Sequence, residues 1–478
     1  MAKMARVGAG IAALALATLL AGCSTGGDTS GSTPSSPVAS PSASPVTPSA
    51  TATATASPSP SPSTAAADWT TYHHDPARTG VTTGVAPFGS AGALRRAWTA
   101  GLDGAVYGEP LVIGSRVVAA TENDSLYALD AATGAVLWRQ HVGTPATLAQ
   151  LPCGDINPLG ITSTPVYDPA TGRVFALAET SGGQHLLVGV DVTTGRVAFR
   201  VPVTLPRGTQ SAFQQRAALA LVGGRVYIPF GGLYGDCGSY VGTVVSLTTA
   251  GTSPQFYSVP TSREGGIWAT GGVVAAGGRL LVSVGNGAST SGYDGSDSVV
   301  ALSPGLSRLD FFAPSSWASD NLHDKDLGSL TPAVVGSFVY ADGKSGTAYT
   351  MRLSQLGGIG GQVSARSVCR AFGTTAVSGS TVYVPCTDGT RAVRIGSDGS
   401  ISVVWHTPVP ARGSPVVGGG VVWVVDYSAG RLYALDPASG AVRASVDVGA
   451  GPHFASLSLS GARAFVGTLS GVVAVSGA

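Results

Sequence analysis

Charge is scarce in this chain. Asp, Glu, Lys and Arg make up 11% of its 478 residues and balance to +1. A total so near neutral removes the electrostatic case for nucleic acid, which needs a basic stripe or patch. Lysine is almost absent: Lys3, Lys325 and Lys344 are the only three. A polybasic patch for an anionic lipid surface is therefore excluded. The leading apolar run, Ile11 to Leu20, is too short to span a membrane, which takes about 20 residues for ~30 Å of hydrocarbon. Several catalytic signatures are also missing. From residue 68 onward there is no Gly-x-Ser-x-Gly elbow, and nowhere is there His-Glu-x-x-His or Cys-x-x-Cys-His. These absences exclude the common hydrolase turn, the zinc-protease helix and a covalently attached haem. What the chain has in excess is glycine, 68 residues, as many tight turns would require.

The beginning of the chain reads as an address. Lys3 and Arg6 precede the apolar run, and Leu20-Ala21-Gly22-Cys23 follows it. This is the order of a secretory signal peptide. The tetrad resembles the bacterial lipobox, which implies a diacylglyceryl group on Cys23 as the mature N-terminus. From Ser24 to Ala67 the chain is almost entirely Ser, Thr, Pro, Ala and Gly, with one charge, Asp28, and no aromatic residue. Such a composition buries too little apolar surface to order itself and makes an extended tether. The expected organisation is a signal peptide over 1–22, a lipidated, disordered tether over 23–67 and a folded domain over 68–478. The protein is expected to be exported and held at the outer face of the cell membrane by its lipid, as a monomer.

The folded part repeats. A short apolar strand, a Gly turn, a Val-rich strand, a variable loop, a third strand, a turn and a fourth strand with an aromatic recur eight times. Pro110–Gly114, Arg116–Ala120, Leu126–Asp130 and Ala135–Trp138 form the clearest copy. Strands of this length and spacing predict an all-β fold. The eighth copy ends at Val472–Ser476 with no residues left for an outer strand, and an unassigned strand, Arg95–Thr99, stands before the first copy. The two complete each other, so an eight-bladed propeller of four-stranded blades is expected, with the N-terminal strand closing the last blade around a central channel. On this reading the residues before Arg95 are dispensable to the ring. Tyr72-His73-His74-Asp75 is read as surface packing rather than a metal site, because adjacent residues on an extended chain point apart.

Asp130-Ala-Ala-Thr133-Gly134-Ala-Val-Leu-Trp138, with weaker copies at Asp191–Phe199 and Asp436–Gly440, resembles the tryptophan-docking repeat of the quinoprotein (PQQ-dependent) alcohol dehydrogenases. The resemblance covers residues 68–478. It implies a turn closed by Asp and Thr with an aromatic packed between blades. The repeat is shared with non-enzymes, including lipoproteins of outer-membrane assembly.

Strand order puts the loops between blades and after each second strand on one face, and these are the long ones, among them 143–161, 204–215, 231–242, 285–297 and 314–328. Long loops on a rigid scaffold are where function collects. Cys153, Cys237, Cys369 and Cys386 all fall on this face. An even number in an exported chain reads as two disulfides, with Cys369–Cys386 as a local staple and Cys153–Cys237 left by elimination. Three segments of blades three to five should meet there: Glu264–Trp268, Val284–Gly287 and His323–Ser329. By resemblance to the dehydrogenases, Trp268 would be the platform under the quinone, Asn286 a calcium ligand, and Asp324 or Asp326 the base that takes the alcohol proton. Glu264 or Glu179 is a candidate for the missing acidic contact, while Asp294 and Asp297 read as turn caps. The family's adjacent Cys-Cys pair is absent here.

Three functions follow. The first is an extracytoplasmic propeller that binds a small ligand or protein partner on its long-loop face and need not be catalytic. The second is a PQQ- and Ca²⁺-dependent dehydrogenase of an alcohol or sugar. The third is a structural scaffold of the cell envelope. An acidic cluster over a stacking Trp favours the enzyme; a channel filled by apolar side chains favours the scaffold.

Overall fold

The computed structural model describes residues 68–88 and 94–477; Cys23, the signal peptide and the tether lie outside the described residues. Eight sheets form the eight blades of a ring, seven of them with their four main strands in sequence order from the axis outward and the eighth closed by the N-terminal strand. Blade 1 runs Leu111–Ile113, Arg116–Thr121, Ser125–Asp130 and Val136–His141. Arg116–Thr121 is buried almost throughout, whereas Val136–His141 is half-exposed to exposed along its length. Neighbouring blades cover both faces of the inner strands and leave the outer strand at the rim, so the inner strands are continuously apolar. Two short additions, Phe213–Gln214 and Gly358–Ile359, extend blades 3 and 4 to five strands. Among the described residues no helix is long and apolar enough to cross a membrane.

The ring closes as the repeat count requires. Blade 8 consists of Leu457–Ser460, Arg463–Thr468 and Gly471–Gly477, completed by Leu94–Gly101. Arg95 faces Ser476 and Thr99 faces Val473, with a bulge between Arg96 and Trp98. The repeat runs on across the closure. Asp130 Oδ1 accepts from the Thr133 N–H and hydroxyl, each at 2.8 Å, and shapes the turn at Gly134. Gly134 has φ +76°, and an added Cβ would stand 2.6 Å from the Trp98 ring, so only glycine lets the ring lie on the turn. Trp98 Nε1 then donates to Ala131 O at 3.1 Å. Trp138 docks on blade 2 in the same way, donating to Val192 O at 2.9 Å, and Trp405 docks on blade 7, donating to Pro437 O at 3.0 Å.

The channel is not open. The inner strands of blades 1, 2, 4, 6 and 7 direct N–H groups to the axis, and buried backbone donors need acceptors. Residues 69–82 supply them. Tyr167 N donates to Thr70 O, Ala275 N to Pro76 O, Val377 N to Thr79 O and Val417 N to Gly80 O at 2.7–2.9 Å, while Trp69 pairs with Val112. Five blades are thereby tied to one strand of chain. Arg78, 2% exposed, donates to Gly271 O, Tyr72 O and Leu219 O, each at 2.9 Å. Trp69 Nε1 and the His73 N–H both donate to Glu109 Oε1, at 2.6 and 2.9 Å. One sequence expectation is corrected here: Tyr72 and His73 are buried at 3% and 0% exposure rather than packed on the surface. Residues 69–82, which precede the closing strand, lie along the axis of the ring.

Candidate functional site

The three segments of blades 3 to 5 do converge. Glu264 has φ +68° and joins neighbouring loops through its backbone: its N–H donates to Tyr240 O and its carbonyl accepts from Gly242 N, both at 2.8 Å. This geometry sets the entry to blade 4 and leaves the Glu264 carboxylate against Arg263 at 2.6 Å. Trp268 follows, half-buried. Its indole rests against glycine backbone: a Cβ on Gly231 or Gly266 would stand 3.1 and 2.6 Å from it. Asn286, at the end of the second strand of blade 4, donates through Nδ2 to Asp324 Oδ1 at 2.6 Å. Asp326 is 1% exposed.

Lys344 binds these pieces together, and sequence reasoning overlooked it. Its Nζ pairs with Asp324 and lies 2.9 Å from Asp326 Oδ2, 5.4 Å from the centre of the Trp268 ring. The signal available was its rarity, as one of two lysines in the folded part. Burial pushes the Asp326 carboxyl above its usual range, with Lys344 opposing. Burial likewise works against the Lys344 ammonium, but Asp326 and Asp324 hold it above its usual value. Asp297, fully buried, accepts from Leu327 N at 2.8 Å. Burial first, then the neighbouring Asp326, hold its carboxyl well above the normal range. Asp297 thus joins two loops, while Asp294 caps its own turn through Ser289 N and Ser296 N. Glu179 is placed elsewhere. It accepts from Gln215 N, and its electrostatic neighbours are Glu122 and Asp124.

The assembled residues fit a calcium ion poorly. Asn286 Oδ1 is buried without a partner and could serve as a ligand. Lys344, however, pairs with both Asp carboxylates and occupies the space between them, and Glu264 is paired with Arg263. Among the described residues no three His, Cys, Asp or Glu side chains converge to hold a metal.

A second assembly lies at the long-loop mouth of the channel. The Arg370 guanidinium sits over the Phe372 ring at 5.3 Å. Phe372 stacks on Phe454, centroids 5.6 Å apart and planes 6° from parallel. Arg216 lies over Phe454 at 5.8 Å and over Tyr107 at 5.3 Å, and donates across the mouth to His453 O at 2.6 Å. The result is a ladder of cation, ring, ring, cation and ring drawn from blades 6, 8, 3 and 1. The repeat explains why these residues meet. Tyr107 stands four places before the inner strand that starts at Leu111, Arg216 four before Ala220, Phe372 four before Ala376, Arg412 four before Val416 and His453 four before Leu457. Equivalent positions of a ring point at the same axis. Phe454, at φ +65°, is turned to lie across it. Aligning the repeats on their inner strands would have exposed this ring in the sequence.

Cys369 and Cys386 form a disulfide, with Cα atoms 5.8 Å apart. Cys153 and Cys237, the other expected pair, carry no bond between their sulfurs here. They lie together against Gly235, where an added Cβ would be 3.4 and 3.7 Å from their sulfurs, but the Cys237 thiol donates to Gly235 O at 3.5 Å.

Comparison with known proteins agrees with the ring. The family profile PQQ_2, described as outer membrane protein assembly factor BamB, matches residues 89–279 and 360–477; Asn286, Asp324, Asp326 and Lys344 fall in the stretch between. A polyvinylalcohol dehydrogenase from Sphingopyxis sp. (strain 113P3) is 26% identical over 235 residues, 44% of this chain. The match spans only about a third of that protein, 33%. Among solved structures, the quinohemoprotein alcohol dehydrogenase from Comamonas testosteroni superposes with TM-score 0.65 at 16% identity, covering 86% of this chain and 80% of that one. A europium-containing methanol dehydrogenase gives 0.66 at 14%, covering 86% and 98%. BamB from Moraxella catarrhalis gives 0.56 at 16%, covering 80% and 99%. At these identities the likeness is one of fold.

Proposed function

The chain belongs to the PQQ_2 propeller family, described as outer membrane protein assembly factor BamB, and we propose that it works as an exported, lipid-anchored binding propeller whose long-loop face takes up a ligand or protein partner without catalysing a reaction. Family membership establishes the ring and leaves the activity to the site. The observation that supports binding over catalysis is the occupation of the axis. Residues 69–82 fill the channel, and Arg216, Phe372 and Phe454 close its long-loop mouth with half-exposed rings and charge.

The competing reading is a PQQ- and Ca²⁺-dependent dehydrogenase. A bound quinone would supply two-electron oxidation of an alcohol, with calcium polarising its carbonyl. The paired state of Asp324, Asp326 and Glu264 argues against it, and Lys344 serves here to tie the loop of Asp324 and Asp326 to blade 5. Titration of the purified protein with PQQ and Ca²⁺, followed by quinone absorbance, should show no saturable change. Stoichiometric quinone uptake with alcohol-dependent dye reduction would replace the binding reading with the enzyme.

A further inference from the structure

We propose that the ladder at the channel mouth binds an acidic protein segment, with Arg370 and Arg412 pairing its carboxylates and the Phe372–Phe454 stack supporting its side chains. This deepens the reading of the long-loop face as the binding face and rests on it.

The first argument is unspent donor capacity. Arg216 is committed to His453 O and feels Glu122 and Asp155. Neither Arg370 nor Arg412 has a carboxylate within ion-pair distance among the described residues. Arg412 Nε is enclosed and has no hydrogen-bond partner, and a desolvated N–H of a charged group is costly until an acceptor arrives. Arg370 lies over Phe372, and stacking leaves a guanidinium free to offer its fork of donors to a carboxylate.

The second argument is the shape of the surface. Tyr107, Arg216, Phe372, Arg412 and Phe454 are half-exposed and Arg370 is exposed. Small molecules are usually taken into concave cavities. Two such cavities, of about 270 and 350 Å³, lie on the opposite face at the seams around blade 8, and neither includes a ladder residue. A broad platform that crosses the mouth from blade 6 to blade 1 fits a chain laid over it. Arginine and aromatic residues are the types that dominate the energy of protein interfaces. The third argument is backbone. Phe454 holds φ +65°, a region that non-glycine residues seldom occupy, and such conformations gather where a side chain must be aimed.

The probe is a peptide of repeated Glu-Tyr carrying a photo-crosslinker, with a Lys-Tyr peptide of equal length as control, measured by titration calorimetry on the full folded domain. The Glu-Tyr peptide should bind, weaken with added salt, and lose about tenfold or more in affinity with each of Arg370→Gln and Arg412→Gln, at unchanged melting temperature. Phe372→Leu should weaken it while leaving the salt dependence in place. Equal binding of the Lys-Tyr peptide, or unchanged affinity in both arginine variants, would overturn the inference. The crosslinks separate the two levels of the argument. Adducts confined to residues 231–242 or 285–328 would keep the long-loop face as the binding face and remove the ladder. Adducts on the rim strands, or none, would remove both.

Discussion

Glu109 offers the sharpest test of the filled channel. Its carboxyl is 2% exposed and holds the plug through Trp69 Nε1 and His73 N–H. Burial pushes it up to about 7, against the hydrogen bonds and Arg78 that lower it. A carboxyl raised in the fold is stabilising to bury only while protonated. Its ionisation therefore erodes stability as pH rises from its unfolded value near 4.5 towards 7, and the loss is complete above that. One pKa unit is about 1.4 kcal/mol, so the full cost is about 3 kcal/mol. Glu109→Gln keeps an acceptor oxygen for both donors and cannot ionise. The variant should match wild type to within about 0.5 kcal/mol near pH 4 and exceed it by about 3 kcal/mol near pH 8. His73, which burial lowers to about 3, acts the other way, costing stability as pH falls below about 6.5; it is common to both proteins and cancels in the difference. Denaturant melts followed by circular dichroism across this range read the effect. A difference that does not change with pH would refute the assignment of Glu109 as a buried, titrating anchor of the plug.

Removing residues 1–67 should leave the melting temperature unchanged, whereas removing 1–93 should lower it by several degrees. The longer deletion takes out Trp69 and Tyr72, at 0% and 3% exposure, each contributing about 2–3 kcal/mol; equal melting of the two would show the plug to be passive. Lys344→Met should cost about 3 kcal/mol at neutral pH by leaving Asp326 buried without its cation, and Asp326→Asn in the same chain should recover most of it in chemical denaturation. Cys23→Ser should still be exported but should leave the membrane fraction and take up no labelled lipid; persistent fractionation with membranes would end the lipoprotein reading.

How much of this was legible in the sequence depended on whether a signal was local. The turn Asp130-Ala-Ala-Thr133-Gly134 encodes its own hydrogen bonds, so the blade repeat could be counted residue by residue. The eighth copy lacked a strand and Arg95–Thr99 had no partner, so closure followed from arithmetic. The plug carried no comparable signal. Tyr72 to Arg78 has no strand period, and its order comes from backbone donors on blades 1, 2, 4, 6 and 7 that exist only once the ring has closed. The cluster of blades 3 to 5 was found through Trp268, Asn286 and Asp326, but its charge was misjudged because Lys344 enters from a loop further along blade 5 that no motif marked. One cation there changes the chemistry from an anionic metal cradle to an ion-pair network in which two carboxylates share one ammonium.

The ladder shows how a ring brings residues of separate loops together. In a propeller, each repeat position is presented to the same axis at the same height, once per blade. A residue that looks isolated in its own loop is therefore a member of a circle. The position four before the inner strand holds Tyr107, Arg216, Phe372, Arg412 and His453 in five blades, and Thr162, Thr270 and Ser329 in the other three. The large and cationic members gather in blades 6, 7, 8, 1 and 3, while the small hydroxyl residues of blades 4 and 5 sit beside the Asp–Lys cluster. The mouth is thus two-sided: a cationic, aromatic side with donors to spare and an acidic side where Asp324 and Asp326 share the single ammonium of Lys344. Such an asymmetric circle suits a partner that must be read in one orientation, because a carboxylate shifted towards blade 5 meets Asp324 and Asp326 in place of a guanidinium.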